Sequence, residues 1–230
     1  YYICLEMENL QVNIVINPEL YSKNPESSVL GHKIVSNSIE MINELGFEHF
    51  TFKKLGDAIG SNESSVYRYF ESKHTLLVYL TDWYWSWIEY KLVFSTLNIK
   101  SSSEKLQKAI EILTQEIIED NSFSYINEVL LNKIIVSESA KVYHTKAIDV
   151  ENEKGYYTTY KRVVQRVSDF VLEVNPSYEF PHMLISTTIE GAHQQRYFSE
   201  HLPSLTDVEK GKDNVVRFYL DLVFKTIKRD

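Results

Sequence analysis

Residues 33–73, KIVSNSIEMINELGFEHFTFKKLGDAIGSNESSVYRYFESK, constrain this chain more than any other stretch. Ile34, Val35, Ile39, Met41, Ile42 and Leu45 recur at helical spacing and give one helix a single apolar face. Gly46 ends that helix, because glycine takes the left-handed cap conformation at no steric cost. Thr51 is placed to cap a second helix, Phe52 to Ile59, and Asn62 to cap a third, Glu63 to Tyr69, across a turn at Gly60. Ser72 caps a fourth, whose first residue is Lys73. Leu55, Ala58, Ile59, Val66 and Phe70 are small or apolar where these helices must cross. Two short helices around a tight turn form a helix-turn-helix, which lays its second helix in the major groove of DNA.

The rest of the composition sets bounds. A chain of 230 residues can bury one large core or two modest ones. Gly 7 and Pro 5 are both low, which favours long helices over a turn-rich β fold. Cys4 is the one cysteine, so no intrachain disulfide forms, as suits a reducing cytoplasm. No stretch is long and apolar enough to span a membrane, and no basic-then-apolar leader is seen, so a cytoplasmic location is expected. Net charge is −8. From Val29 to Leu80, five basic residues oppose six acidic ones, a net charge of −1. Phosphate neutralisation dominates nonspecific affinity, so weak binding to random DNA is expected. Lys53, Lys54, Arg68 and Lys73 nevertheless sit on or beside the elements that would face a duplex.

The segment resembles the tetracycline-repressor (TetR) family. The resemblance lies in Ile34-Val35, Glu40, Glu44-x-Gly46, Thr51, Gly60, Ser65-Val66-Tyr67-x-Tyr69-Phe70 and Ser72-Lys73. It implies an all-α fold of about nine helices, with a ligand-binding and dimerisation body behind the DNA-binding domain. It also implies repression relieved by a ligand, with the fourth helix acting as a lever. The segment departs from the family at Asn37, Ser38 and Gly56, where alanines are usual, at Ser61, where an apolar turn residue is usual, and at Glu63, where the recognition helix opens. These changes predict a loosened domain and an unusual operator.

Three regions are expected: an arm over 1–26, the helix-turn-helix domain over 27–80, and an effector-binding and dimerisation domain over 81–230. In the arm, Leu10, Val12, Ile14 and Ile16 alternate like a strand before Pro18. One Lys against four Glu argues against a minor-groove role, so a mobile or loosely docked arm is expected. Leu76, Leu80, Trp83, Trp87, Tyr90, Phe94 and Leu97 extend the fourth helix as one stripe. Ser101 with Glu104 is a capping box for a fifth helix to about Asp120. A sixth is expected over 123–138, a loop over 144–154, a seventh helix ending at Asn175-Pro176 and an eighth over 181–199. Thr206 with Glu209 is a second capping box, for a ninth helix to about Lys228.

Glu63, Ser64, Ser65 and Arg68 are the residues best able to reach base edges: Arg reads guanine, Glu accepts from cytosine, and serines read either partner. By resemblance, Tyr67, Tyr69 and Lys73 contact phosphates. Thr51, Lys53 and Asn62 complete the expected DNA-facing set. Trp83, Trp87, Tyr90 and Phe94, with Tyr125, Tyr156, Tyr160 and His193, are candidates to line a pocket for a small apolar or aromatic effector. Core packing is the competing reading for each. Glu190-x-x-His193 has the spacing of half a metal site, but a matching pair, Glu71-x-x-His74, lies in the DNA-binding segment, so no metal is expected.

Gly191 and Ala192 permit close helix approach, and Val215, Phe218, Tyr219 and Leu222 belong to a last helix that is apolar on more than one face. These form the expected homodimer interface, which would present two recognition helices to a pseudo-palindrome. No nucleophile elbow, phosphate loop, zinc spacing or catalytic carboxylate pair appears, so neither catalysis nor a cofactor is expected. The expected protein is a ligand-responsive repressor whose partners are operator DNA, a small effector and a second copy of itself. Two rivals are a helical sensor with a decayed DNA-binding domain and a small helical enzyme.

Overall fold

The computed structural model describes residues 14–119, 125–209 and 211–228. Within them are ten α-helices. These are α1 Val29–Leu45, α2 Phe52–Ala58, α3 Glu63–Tyr67, α4 Lys73–Thr96 and α5 Ser102–Thr114. They continue as α6 Glu128–Tyr143, α7 Ile148–Glu153, α8 Thr158–Val174, α9 Pro181–His201 and α10 Asn214–Thr226. The described residues contain no strand, only an isolated bridge between Glu209 and Lys212.

The helix starts follow side-chain chemistry. Thr51, Asn62, Ser72 and Ser101 each accept from the backbone N–H three residues on, which satisfies a donor the helix cannot. Ser28 and Asn127 do the same for α1 and α6. Several expected boundaries move. α10 does not start at the Thr206–Glu209 box. Gly211 at φ 84° breaks the chain there, Asn214 donates to the Asp207 carbonyl at 2.8 Å, and Asp213 caps the helix instead. α5 stops at Thr114 rather than near Asp120, and the Arg196 guanidinium takes the Thr114 carbonyl. α6 starts and ends about five residues later than expected, and the supposed loop over 144–154 contains the short α7.

The departures from the family pattern are accommodated locally. Ser38 is buried on α1, and its hydroxyl donates to the Ile34 carbonyl at 2.6 Å. The Asn37 amide donates to the Lys33 carbonyl at 2.9 Å. A Cβ on Gly56 would come 3.0 Å from the backbone at Asn62 and Glu63, so glycine lets α2 and the start of α3 lie closer than alanine would allow.

Residues 14–27 are not a loose arm. Two 3-10 turns, Pro18–Leu20 and Pro25–Ser27, place Ile16 and Leu20 in the core. The Asn17 N–H donates to the buried Asp82 carboxylate at 3.0 Å, and the Ser22 N–H donates to the Tyr69 carbonyl. Pro25 lies so close to α1 that a Cβ on Gly31 would be 2.1 Å from its carbonyl oxygen. Leu10 and Val12 lie outside the described residues.

α4 is the spine. Leu76 to Trp85 are buried without a break, because α4 is wrapped by α5, α6 and α8. The body grips the DNA-binding head at two further points. Glu138 of α6 accepts from the Phe47 N–H and pairs with Lys141, which also reaches Glu48 at 3.5 Å. His74, in the first turn of α4, meets the buried Glu151 of α7 at 2.6 Å, and Tyr157 donates to the other oxygen of that carboxylate.

Candidate nucleic-acid interface and ligand cleft

The head exposes one polar face. Thr51, Lys53, Asn62, Glu63, Ser64, Tyr67 and Arg68 are all exposed. α3 is a single capped turn and a half. Asn62 Oδ1 accepts from the Ser65 N–H at 2.8 Å and from the Ser64 and Ser65 hydroxyls. Arg68 reaches the Ser65 hydroxyl at 3.2 Å, while Tyr67 stands edge-on to Phe52. Glu63, Ser64, Tyr67 and Arg68 therefore share a rigid, solvent-facing surface.

Three residues expected on that face have other surroundings. Ser65 is buried. Tyr69 is 1% exposed, and its hydroxyl bonds the Ser28 cap of α1 at 2.8 Å. Lys73 donates to the carbonyls of Phe47, Glu48 and Phe50 and lies over the Phe47 ring, so its ammonium organises the α1–α2 loop. Lys54 likewise donates to the His49 carbonyl. Lys53 and Arg68 are then the cations of this face with no charge-bearing or backbone partner among the described residues. Sequence periodicity could not show this, because the acceptors lie up to 26 residues away in the chain.

The body contains a cleft of about 390 Å³. Tyr84 of α4, Asn132 of α6, and Ala192, His193 and Arg196 of α9 line it, with Leu113 and Thr114 at the end of α5 and Asp213 before α10. Tyr84 donates to Asn132 Oδ1 at 3.0 Å. Arg196 donates to the Thr114 carbonyl and to Asp213 at 2.6 Å, tying the end of α5 and the start of α10 to α9. Burial beside Tyr84 and Trp85 pushes the His193 imidazole down to about 4, so it is neutral at pH 7.

Of the eight aromatic and histidine candidates, His193 alone lines this cleft. Trp83 and Trp87 are fully buried core residues, whereas Phe94 is 62% exposed and lies tilted against Tyr90 at the far end of α4. Tyr125 stacks on His32 and donates to Glu26, and Tyr156 donates to the Glu19 carbonyl, so both serve the N-terminal segment. Tyr160 stacks on Trp85 at 4.2 Å and donates to Glu190 at 2.8 Å. The aromatic stripe is largely packing. Sequence reasoning missed Arg196, Asn132 and Asp213, because a polar residue on an amphipathic helix looks the same whether it faces solvent or a cleft. Glu190 is engaged by Tyr160 and His74 by Glu151, and among the described residues no group of three metal-ligating side chains converges.

The expected dimer residues divide. Gly191 is intramolecular: a Cβ there would sit 2.2 Å from the Tyr219 hydroxyl. Ala192, Val215 and Tyr219 are buried within the chain, and Leu222 is half-buried against the core. Phe218 is 56% exposed, next to the exposed Leu205.

A helix-turn-helix head is joined by one continuous helix to an all-helical body with a cleft. Residues 34–80 match the family model of the bacterial regulatory proteins, tetR family. Over the whole chain the likeness is one of fold. The AibR structure in complex with isovaleryl coenzyme A and operator DNA is 12% identical, covering 83% of this chain and 96% of that one, with a TM-score of 0.56. The TetR-family regulator PfmR from Thermus thermophilus is 14% identical, covering 85% and 99%, with a TM-score of 0.56. The superantigen PfiT is 15% identical, covering 90% and 100%, with a TM-score of 0.58. No curated protein matches the chain by sequence. Among the described residues no helix is long and apolar enough to cross a membrane.

Proposed function

We propose that this chain is a cytoplasmic, non-enzymatic transcriptional repressor that binds a pseudo-palindromic operator as a homodimer and is released by a small effector in the α4–α6–α9 cleft. The observation that carries the reading is the exposed set Glu63, Ser64 and Tyr67 on α3 and Arg68 at its C-cap, just ahead of α4. Arg68 and Glu63 are the base-reading residues, and Lys53 and Tyr67 meet phosphates. α4 couples the sites: Tyr84 touches the cleft 11 residues after Lys73, about 17 Å along the helix axis. A ligand that binds the two orientations of α4 unequally shifts the head. Leu113, Ile117 and Val129 offer the apolar part of an effector its contacts. The AibR complex, with both ligand and operator in its name, supports this division of labour.

The test is selection from a random duplex library, followed by fluorescence anisotropy against the selected site with scrambled competitor at two salt concentrations. Competitor-resistant binding is expected, and Arg68→Ala should weaken the selected site by about 1–3 kcal/mol while barely changing random DNA. Equal loss on both would make Arg68 a phosphate contact. No selectivity at either salt would overturn the reading.

A second reading has its own support. With Lys54 and Lys73 committed to carbonyls, the head presents few cations, and PfiT, a superantigen by name, shares the fold. A protein-binding module on this scaffold is then the outcome that a failed DNA test would favour.

A further inference from the structure

The cleft combines apolar walls with a floor rich in hydrogen-bond donors. Its carboxylates are already answered. Asp213 accepts from Arg196 at 2.6 and 2.7 Å and from the Val216 N–H at 3.2 Å, where it caps α10. Glu200 pairs with Lys133 at 3.6 Å and Glu209 with Lys212 at 2.7 Å, while Glu116 is exposed at the rim. None of these acids is left inside to attract a cation.

The donors differ. Arg196 is only 20% exposed. It uses Nε and Nη2 on the Thr114 carbonyl and Asp213, and Nη1 has no bond among the described residues. The Asn132 carbonyl oxygen is taken by the Tyr84 hydroxyl, which leaves the Asn132 amide NH₂ as donor. The His193 ring has aromatic neighbours but no hydrogen-bond partner among the described residues. A guanidinium edge and an amide on facing helices suit a planar, two-oxygen acceptor. Leu113, Ile117 and Val129 lie beside them, and about 390 Å³ is at the small end of the roughly 300–1,000 Å³ typical of small-molecule sites.

We propose that the cleft takes a small monocarboxylate, its head held by Arg196 Nη1 and Asn132 Nδ2 and its short apolar tail laid against Leu113, Ile117 and Val129. The inference rests on the reading of this cleft as the effector site and names the effector's chemical class. Neutral His193 adds a donor without adding charge, and the carboxylate meets the Nη1 edge of a guanidinium whose Nη2 is already paired with Asp213.

Isothermal titration of the full chain with butyrate, hexanoate and octanoate tests it, with hexanamide and hexylamine as matched neutral and cationic probes. Saturable binding is expected for at least one acid and for neither control. Asn132→Asp keeps the acceptor for Tyr84 but replaces the donor with a second negative charge, and should weaken the acid at least about tenfold, ~1.4 kcal/mol. Arg196→Gln should abolish it, but it also frees the Thr114 carbonyl, so Asn132→Asp decides where Arg196→Gln alters the circular dichroism. The carboxylate assignment is overturned if no acid binds, if amine or amide binds as tightly, or if Asn132→Asp leaves affinity unchanged. Selective DNA binding without acid binding sinks this inference alone. Acid binding that leaves the operator complex intact sinks the effector reading and keeps the site.

Discussion

Asp82 shows how a single buried charge is tolerated on α4. It is 4% exposed, and burial pushes its carboxyl above the ordinary value despite the Asn17 N–H, Thr159 and Arg162 around it. Asp82→Asn keeps an acceptor for Asn17 and removes the charge, so equal or higher stability is expected at pH 7 in urea unfolding. Asp82→Ala leaves the Asn17 N–H without its acceptor and should cost about 1–3 kcal/mol. If Asn is as harmful as Ala, the charge itself matters. His193 carries a pH dependence with the opposite history. Its folded value of about 4 lies below the ordinary 6.5, so between those limits the unfolded chain binds the proton more tightly. Its contribution to stability is complete above pH 6.5 and falls as pH drops toward 4. His193→Gln should lose less melting temperature than the wild type between pH 7 and pH 5. Parallel curves for the two proteins would contradict this.

At the scale of elements, helix contacts are set by a few close approaches. α9 lies on α10 where Gly191 leaves room for the Tyr219 hydroxyl. Gly191→Ala should therefore destabilise by about 1–3 kcal/mol through overpacking. Tyr219→Phe removes the clashing oxygen and should recover part of that loss in a double-mutant cycle, because residues in direct contact are not additive. Strict additivity would mean that the two helices adjust independently. The same contact explains why α10 looked like a dimer helix. Val215, Tyr219, Val223 and Ile227 are buried at steps of four and make an ordinary inward stripe. Only the residues beside that stripe, Phe218 above all, remain for a partner.

For the whole molecule, the proposed two-fold assembly makes the sharpest prediction. Light scattering on a sizing column should give twice the mass of one chain. Phe218→Asp should halve it without changing the circular dichroism, since the side chain is more than half exposed and its loss opens no core cavity. A wild-type monomer at micromolar concentration would remove the homodimer and with it the palindromic operator. The head itself is joined to the body through α4, through Glu138 at the Phe47 N–H and through Glu151 at His74. A ligand between α4, α6 and α9 therefore touches two of the elements that hold the head.

The helix-turn-helix, its caps at Thr51, Asn62 and Ser72, and the length of α4 follow from the sequence alone. The reason is that these features rest on interactions within one helical turn or on a single hydrophobic period. The docking of residues 14–27, the end of α5, the start of α10 and the cleft were settled only by the tertiary structure. Each depends on a polar group meeting a partner far along the chain: Asn17 with Asp82, and Arg196 with Thr114 and Asp213. Trp83 and His193 are both pocket candidates by sequence, yet one fills the core and the other opens onto the cleft. Helical periodicity says which face of a helix turns inward. Whether that face meets another side chain or a space large enough for a ligand is set by how the helices cross.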